Sequence, residues 1–332
     1  MLTTKQPPSS YYKDLGMVAK SILVGHDDAL AKILKRLELY KSGMIDKHRP
    51  IGSFLLAGPT GCGKTTLAQA IAFALHGNQD TFIRIDCGEY QNSHEVAKLI
   101  GAPPGYLGHR ETEAVLSKVA LQRVRSPNSS IVILLLDEVE KADNALTNIL
   151  LGVMDAGRIT LGDNTHVDMC ESILLMTSNL GVKEASDTSF GLSKLESSFV
   201  QKQATVTNAI KKRFSPEFRN RLDAVLILSP LTPIQAHVIA AREINKFVSH
   251  CPATIKVTKS LIHLLVEKGY SEEFGARDIK RIIEQDMMME VARIILNNKN
   301  INKNTTIYID AIQGEIKYRY KIIPPVAAAT VE

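Results

Sequence analysis

Cysteine is scarce and scattered in this chain. The four residues Cys62, Cys87, Cys170 and Cys251 are widely spaced and include no C-x-x-C pair, so neither a zinc site nor a disulfide framework is implied. No apolar run approaches the roughly 20 residues that a helix needs to span a bilayer. The polar opening Met1-Leu2-Thr3-Thr4-Lys5-Gln6 has no signal-peptide character, so a cytoplasmic protein without a membrane partner is expected. A block of like charge is also missing. Forty Lys and Arg stand against 35 Asp and Glu, for a net charge of +5, and they are spread along the chain, which allows a nucleic-acid partner without arguing for one. What remains is an ordinary globular composition, 45% hydrophobic and 23% charged over 332 residues, enough for one large domain or two of moderate size.

The stretch Leu55-Leu56-Ala57-Gly58-Pro59-Thr60-Gly61-Cys62-Gly63-Lys64-Thr65-Thr66 organises the rest. An apolar run reads as a buried strand, a glycine-rich turn follows, and Lys64-Thr65 open a helix, giving G-x-x-x-x-G-K-T in the strand–loop–helix context of a phosphate-binding loop. Glycines let the main chain wrap the phosphates, Lys64 brings an ammonium to them, and the Thr65 hydroxyl suits Mg²⁺. The alternative is a plain glycine turn before a helix. A second run, Ile131-Val132-Ile133-Leu134-Leu135-Leu136-Asp137-Glu138, reads as a buried strand ending in two carboxylates, with Asp137 as the Mg²⁺ holder and Glu138 as the group that polarises the attacking water. Two acids can also simply open a helix; beside the first motif they read as catalytic.

Along the chain, residues 1–20 show little periodicity and read as a flexible lead-in. Apolar residues at Leu30, Ile33, Leu34, Leu37 and Leu39 mark a one-sided helix. Thr81–Asp86 alternates like a strand, Ser93–Ile100 suits a short capped helix, and Gly157–Asp168 reads as a hairpin turning at Gly-Asp-Asn. In Gly101-Ala102-Pro103-Pro104-Gly105-Tyr106-Leu107-Gly108, one tyrosine sits among prolines and glycines on a loop, either folded back or placed to touch a partner. Ser172–Asn179 is a further buried strand ending in polar residues, where Asn179 is either a turn cap or a functional amide. Ser229-Pro230-Leu231-Thr232-Pro233 breaks the composition and marks a domain boundary. Beyond it, helices are expected near 233–249, 258–268 and 276–298, with short strands near 253–257, 305–310 and 315–321. Met287-Met288-Met289 reads as helix packing, and the tail 323–332 as disordered.

Taken in order, these motifs resemble the Clp family of AAA+ protein unfoldases, specifically their second ATPase module. Leu23 and Val24 before a glycine, the phosphate loop, Gly105-Tyr106-Leu107-Gly108, Asp137-Glu138, Phe214-Ser215-Pro216-Glu217-Phe218-Arg219-Asn220-Arg221 and Gly275-Ala276-Arg277 carry the resemblance over about residues 20–320. It implies a P-loop AAA+ α/β domain with a central parallel sheet over 21–229 and a small α+β C-terminal lid over 230–322. ATP and Mg²⁺ are the implied cofactors. Leu23 and Val24 are carried over as adenine-pocket residues, with core packing as the alternative. Asn179 becomes the first sensor, Arg221 an arginine finger for a neighbouring subunit's ATP, and Arg277 the second sensor. Gly105–Gly108 becomes the pore loop that grips a substrate polypeptide, with Leu107 where valine is usual. Phe190-Gly191-Leu192 is either a loop anchor or a docking tripeptide for a peptidase ring. The implied assembly is a ring of like subunits, expected to be a hexamer, acting on protein substrates, with an adaptor as a further partner. Taken as a whole protein, the chain has no room for the adaptor domain or the other ATPase module that such proteins often carry. A nucleic-acid-remodelling ATPase and a nucleotide-gated scaffold with little turnover are the other readings.

Overall fold

The computed structural model describes residues 10–101, 114–181, 195–271, 274–298, 301 and 305–322. The pore-loop residues Gly105–Gly108, the tripeptide Phe190–Leu192 and the tail 323–332 lie outside them. The chain divides into two units, one of residues 1–59 and 63–229, the other of Thr60–Cys62 and 230–332.

In the first unit, described elements run in the order α1 (Ser10–Ile22), α2 (Asp27–Lys41), β1 (Gly52–Ala57), α3 (Lys64–His76), β2 (Ile83–Asp86), α4 (Val96–Ile100), α5 (Lys118–Arg123) and β3 (Val132–Asp137). They continue with α6 (Asn144–Ala156), β4 (Arg158–Thr160), β5 (His166–Asp168), β6 (Ser172–Ser178), α7 (Leu195–Arg213), α8 (Pro216–Arg221) and β7 (Ala224–Ile227). Five strands form one sheet in the order β2-β3-β6-β1-β7, and each pairing is parallel. Every residue of β1, β3 and β6 is buried, which is why these strands read as unbroken apolar runs instead of alternating ones. Each fully buried leucine among them contributes about 1.5–3 kcal/mol. The β4–β5 hairpin stands separately as an antiparallel pair.

The expected lead-in is corrected: from Ser10 onward it is the helix α1, which packs on α3 and buries Leu15 and Ala19. Two buried residues one turn apart leave too sparse a stripe to stand out as periodicity.

The second unit contains α9 (Pro233–His250), β8 (Thr254–Val257), α10 (Lys259–Gly269), α11 (Arg277–Ile282), α12 (Met289–Asn297), β9 (Thr305–Ile312) and β10 (Glu315–Ile322). Its sheet runs β10-β9-β8, with an antiparallel and a parallel pairing. Helix α9 opens with a capping box, in which the Thr232 hydroxyl accepts from the Gln235 N–H and the Gln235 side chain accepts from the Thr232 N–H. The single helix expected over 276–298 is instead interrupted by a π-helical turn at Ile283–Met288. Its buried residues Ile279, Ile283, Met287 and Val291 recur every fourth position, and a step of four overshoots the 3.6-residue turn by about 40°. Widening one turn returns the stripe to the core. Of the three methionines, Met287 is buried, Met288 packs against the core and Met289 is exposed. Among the described residues no helix is long and apolar enough to cross a membrane.

His76, in the last turn of α3, is buried with Nδ1 2.8 Å from the Ser126 hydroxyl and, among the described residues, with no partner for Nε2. Burial lowers its pKa below the usual 6.5, so the fold keeps the ring neutral. The unfolded chain takes up a proton as pH falls through that value, binds more protons than the fold, and stability is lost in that direction. The urea midpoint is expected to fall between about pH 7 and 5.5, and to fall less in His76→Gln. Parallel pH profiles for the two proteins would clear His76 of the effect.

Candidate functional site

Strand register builds the site. Ala57 lies beside Ser178 and Leu136 beside Met176, so the carboxyl ends of β1, β3 and β6 open side by side, the usual place for a ligand in a parallel sheet. Buried residues fill the strands up to these ends, and polar groups begin where the backbone leaves the sheet.

From β1, Gly58 leads to Gly63, whose φ of 108° belongs to glycine's range and leaves the first turn of α3 without a side-chain cap. The uncapped N–H groups of this helix suit an anion. Lys64 is buried, and its ammonium donates to the carbonyls of Gly58 at 2.6 Å and Pro59 at 2.8 Å, and to Asn179 Oδ1 at 2.7 Å. Three acceptors match the three N–H donors of the ammonium, so the cation is held within the loop that it serves.

From β3, Asp137 is buried and takes hydrogen bonds on both oxygens. The Thr177 hydroxyl donates to Oδ1 at 2.8 Å, and Arg84 donates to Oδ2 from Nε at 2.9 Å and from Nη2 at 2.6 Å. The same Thr177 oxygen accepts from the Glu138 N–H at 3.0 Å, so one hydroxyl sets the carboxylate and the turn after it. Glu138 occupies the left-handed region at φ 55°, which costs a non-glycine residue about 1 kcal/mol or more. Its Oε1 accepts from Asn179 Nδ2 at 3.2 Å, and its Oε2 pairs with Lys141 at 2.5 Å. That bond raises the pKa of Lys141.

Glu140 holds Asn179 from the other side by accepting its backbone N–H at 2.9 Å, while the second Glu140 oxygen is buried without a partner among the described residues. Arg213 at the end of α7 secures this turn, donating to the carbonyls of Glu140 at 2.8 Å and Ala142 at 2.7 Å. Beneath it, burial pushes the Cys87 thiol up to about 12, helped by the charges of Asp86, Asp137, Glu140 and Glu138. The thiol stays protonated and is no nucleophile.

The structure thus gathers Lys64, Asp137, Glu138 and Asn179 into one hydrogen-bonded group with Gly58 and Pro59. Thr65 and Thr66 stand half-buried in the first turn of α3, behind Thr60, Gly61 and Cys62 of the loop. Leu23 is buried and Val24 half-buried after α1. Arg221 shares no hydrogen bond with the group; its guanidinium pairs with Asp155 at 2.7 Å. Arg277 begins α11 in the second unit. Sequence reasoning missed Arg84, Thr177, Glu140, Lys141 and Arg213. Arg84 was discoverable as a charge between Ile83 and Ile85 on a strand, and Thr177 as a hydroxyl in an otherwise apolar run. Among the described residues, no cluster of three or more His, Cys, Asp or Glu could hold a metal by itself. The donors fit Mg²⁺ with a nucleotide better than a free-standing ion: one buried carboxylate, a hydroxyl one residue past the lysine, and a glycine loop at a helix N-terminus.

Comparison with known proteins gives a consistent result. The family model of the AAA domain (Cdc48 subfamily) matches residues 49–225, and that of the C-terminal, D2-small domain of ClpB protein matches 237–309. Chaperone protein ClpB 1 of Synechocystis is 36% identical over 305 residues, which is 91% of this chain and 33% of that protein. The ATP-dependent Clp protease ATP-binding subunit ClpC of Staphylococcus epidermidis is 35% identical over 302 residues, 89% of this chain and 36% of that one. A solved S. cerevisiae Hsp104:casein complex superposes with a TM-score of 0.80 at 29% identity, covering 95% of this chain and 54% of the other. Hsp104 with ATPγS and FITC casein in its closed state gives 0.79 at 30% identity, over 95% and 53%. The chain therefore spans about a third of its curated relatives and about half of the solved chains.

Thr177→Val keeps the side-chain shape and removes both bonds of the hydroxyl. It is expected to lower the unfolding free energy by about 1–3 kcal/mol in urea titration, with Thr177→Ser close to wild type. Equal stability of all three proteins would refute the bridging role.

Proposed function

The chain belongs to the AAA domain family, and from that premise we propose that it is an ATP-hydrolysing module that unfolds or threads polypeptides as part of a Clp-type ring. The observation that carries this reading is the line of hydrogen bonds from Lys64 through Asn179 to Glu138, beside the buried Asp137. The names of the relatives support a polypeptide substrate: one is a chaperone, one is a protease's ATP-binding subunit, and the Hsp104 structures contain casein.

ATP and Mg²⁺ are the cofactors this donor set suits, with Thr65 and Asp137 as the residues that would hold the metal. Bound Mg²⁺ supplies charge neutralisation on the phosphates and polarises the transferred phosphoryl group. Lys64 exchanges a loop carbonyl for a phosphate oxygen when nucleotide enters. Glu138 accepts a proton from the attacking water, and Asn179, tied to Lys64 on one side of its amide and Glu138 on the other, keeps that base aligned with the phosphate end of the site. Leu23 and Val24 contribute to the adenine pocket. Arg221 leaves Asp155 and reaches the nucleotide of the next subunit in a ring, expected to be a hexamer, where a planar, always-charged guanidinium stabilises the phosphoryl transition state. Arg277 couples nucleotide state to the second unit. Gly105-Tyr106-Leu107-Gly108 grips the substrate, and Phe190-Gly191-Leu192 offers a contact to a peptidase ring. A cytoplasmic setting accords with four free thiols.

Glu138→Gln is expected to bind ATP at wild-type affinity while turnover falls by about 10²–10⁴-fold, read by fluorescent-nucleotide titration and phosphate release. Tyr106→Ala is expected to hydrolyse ATP yet leave a folded, tagged reporter protein fluorescent that wild type unfolds. Unfolding of the reporter by Tyr106→Ala at the wild-type rate would remove the pore-loop assignment. Full turnover in Glu138→Gln would remove the base.

A further inference from the structure

In the second unit, outside the motifs assigned to nucleotide, two imidazoles meet. His237 lies in the second turn of α9 and His263 in the middle of α10, helices whose packing is fixed by a shared core that includes Ala236, Ala240, Ile244, Leu261 and Leu265. The two rings meet edge to edge, with centroids 5.5 Å apart and planes 23° from parallel. His237 Nε2 lies 3.3 Å from His263 Nδ1. His237 is half-buried and His263 exposed, so the pair sits at the solvent rim of the helix–helix contact.

The hydrogen bonds fix which nitrogen carries a lone pair. His237 Nδ1 is 2.8 Å from the Pro233 carbonyl, and a carbonyl oxygen can only accept, so Nδ1 is the protonated nitrogen. In the neutral ring, Nε2 then carries a lone pair aimed at His263. This is the arrangement that metal-binding histidines use, with one nitrogen tied to a backbone carbonyl and the other presented to the ion. Within the pair, His263 Nδ1–H donates to that lone pair across a distance longer than the 2.7–3.2 Å of a good N–H bond. Two nitrogens on one tetrahedral ion at 2.0–2.1 Å stand about 3.3–3.4 Å apart. The observed separation is that of a chelate.

The geometry points to a surface site for a divalent transition ion, Zn²⁺ or a neighbour with the same taste for imidazole, held by His237 Nε2 and His263 Nδ1. Binding moves no net charge on the rings: the Nδ1 proton of His263 departs to solvent and the exposed ring regains one on Nε2. Two protein ligands leave the remaining positions to water, so the affinity is moderate and the ion exchanges freely. Imidazole ligation separates this site from the oxygen-lined Mg²⁺ site, since hard cations prefer oxygen donors. An ion there links α9 to α10, and because it binds the folded unit alone it stabilises that unit by mass action. The inference does not depend on the nucleotide chemistry proposed above.

The test is calorimetric titration of the full chain, free of affinity tags and kept reduced, with Zn²⁺ alone. Saturable binding that weakens at least tenfold in His237→Gln and in His263→Gln, and is unchanged in Cys251→Ser and by excess Mg²⁺, is the expected result. Zn²⁺ should also raise the thermal unfolding midpoint of wild type and lose this effect in both histidine variants, which are surface replacements checked for fold by circular dichroism. Absence of saturable binding in wild type, or equal affinity in either histidine variant, overturns the site.

Discussion

Strands β1, β3 and β6 are buried on both faces, and this constraint decides where chemistry can occur. A strand with no solvent face has no room for an unpaired polar group along its length, so polar groups are confined to the points where each strand leaves the sheet. Parallel pairing puts those points at one edge. The lysine after β1, the carboxylates at the end of β3 and the asparagine after β6 are neighbours because three apolar strands end in register.

Having been brought together, the charges have to be matched. Asp137 carries a negative charge in a buried place, and it is tolerated because Arg84 and Thr177 occupy its oxygens; an unpaired ion there would cost several kcal/mol. Glu138 and Glu140 flank it, offset by Lys141, Lys64 and the amide of Asn179. Arg213 adds rigidity from the outside by clamping two carbonyls of the turn. The loose ends are few and specific. One Glu140 oxygen is buried without a partner among the described residues, and Arg221 is engaged with Asp155 and takes no part in the network.

Much of this was legible in the residues, and the reason is locality. The strand runs, the glycine spacing before Lys64 and the acid pair after Leu136 each occupy a few consecutive positions, so the parallel α/β fold and the gathering of Lys64, Asp137 and Glu138 at one sheet edge follow from short windows. Arg84 and Thr177 stand out locally as polar residues in apolar strands, but their pairing with Asp137 was invisible in that way, because Asp137 is 53 and 40 positions distant and only strand register joins them. Helix α1 was overlooked because, among its described side chains, only Leu15 and Ala19 are buried. The π-helical turn was in principle readable from Ile279, Ile283, Met287 and Val291, since a strict step of four cannot follow one face of a regular helix for long. Tyr106, on which the substrate-gripping reading depends, lies outside the described residues.

The left-handed backbone of Glu138 has an evolutionary reading. At φ 55° the conformation favours glycine or asparagine over glutamate, so under the proposed role of Glu138 as base, thermodynamic selection and chemical selection pull this position in opposite directions. Drift towards a more robust scaffold would relax the turn at the expense of its carboxylate. A descendant of this chain that had become a passive nucleotide-binding subunit would be freed from that conflict, and position 138 is where its change of occupation would be recorded first.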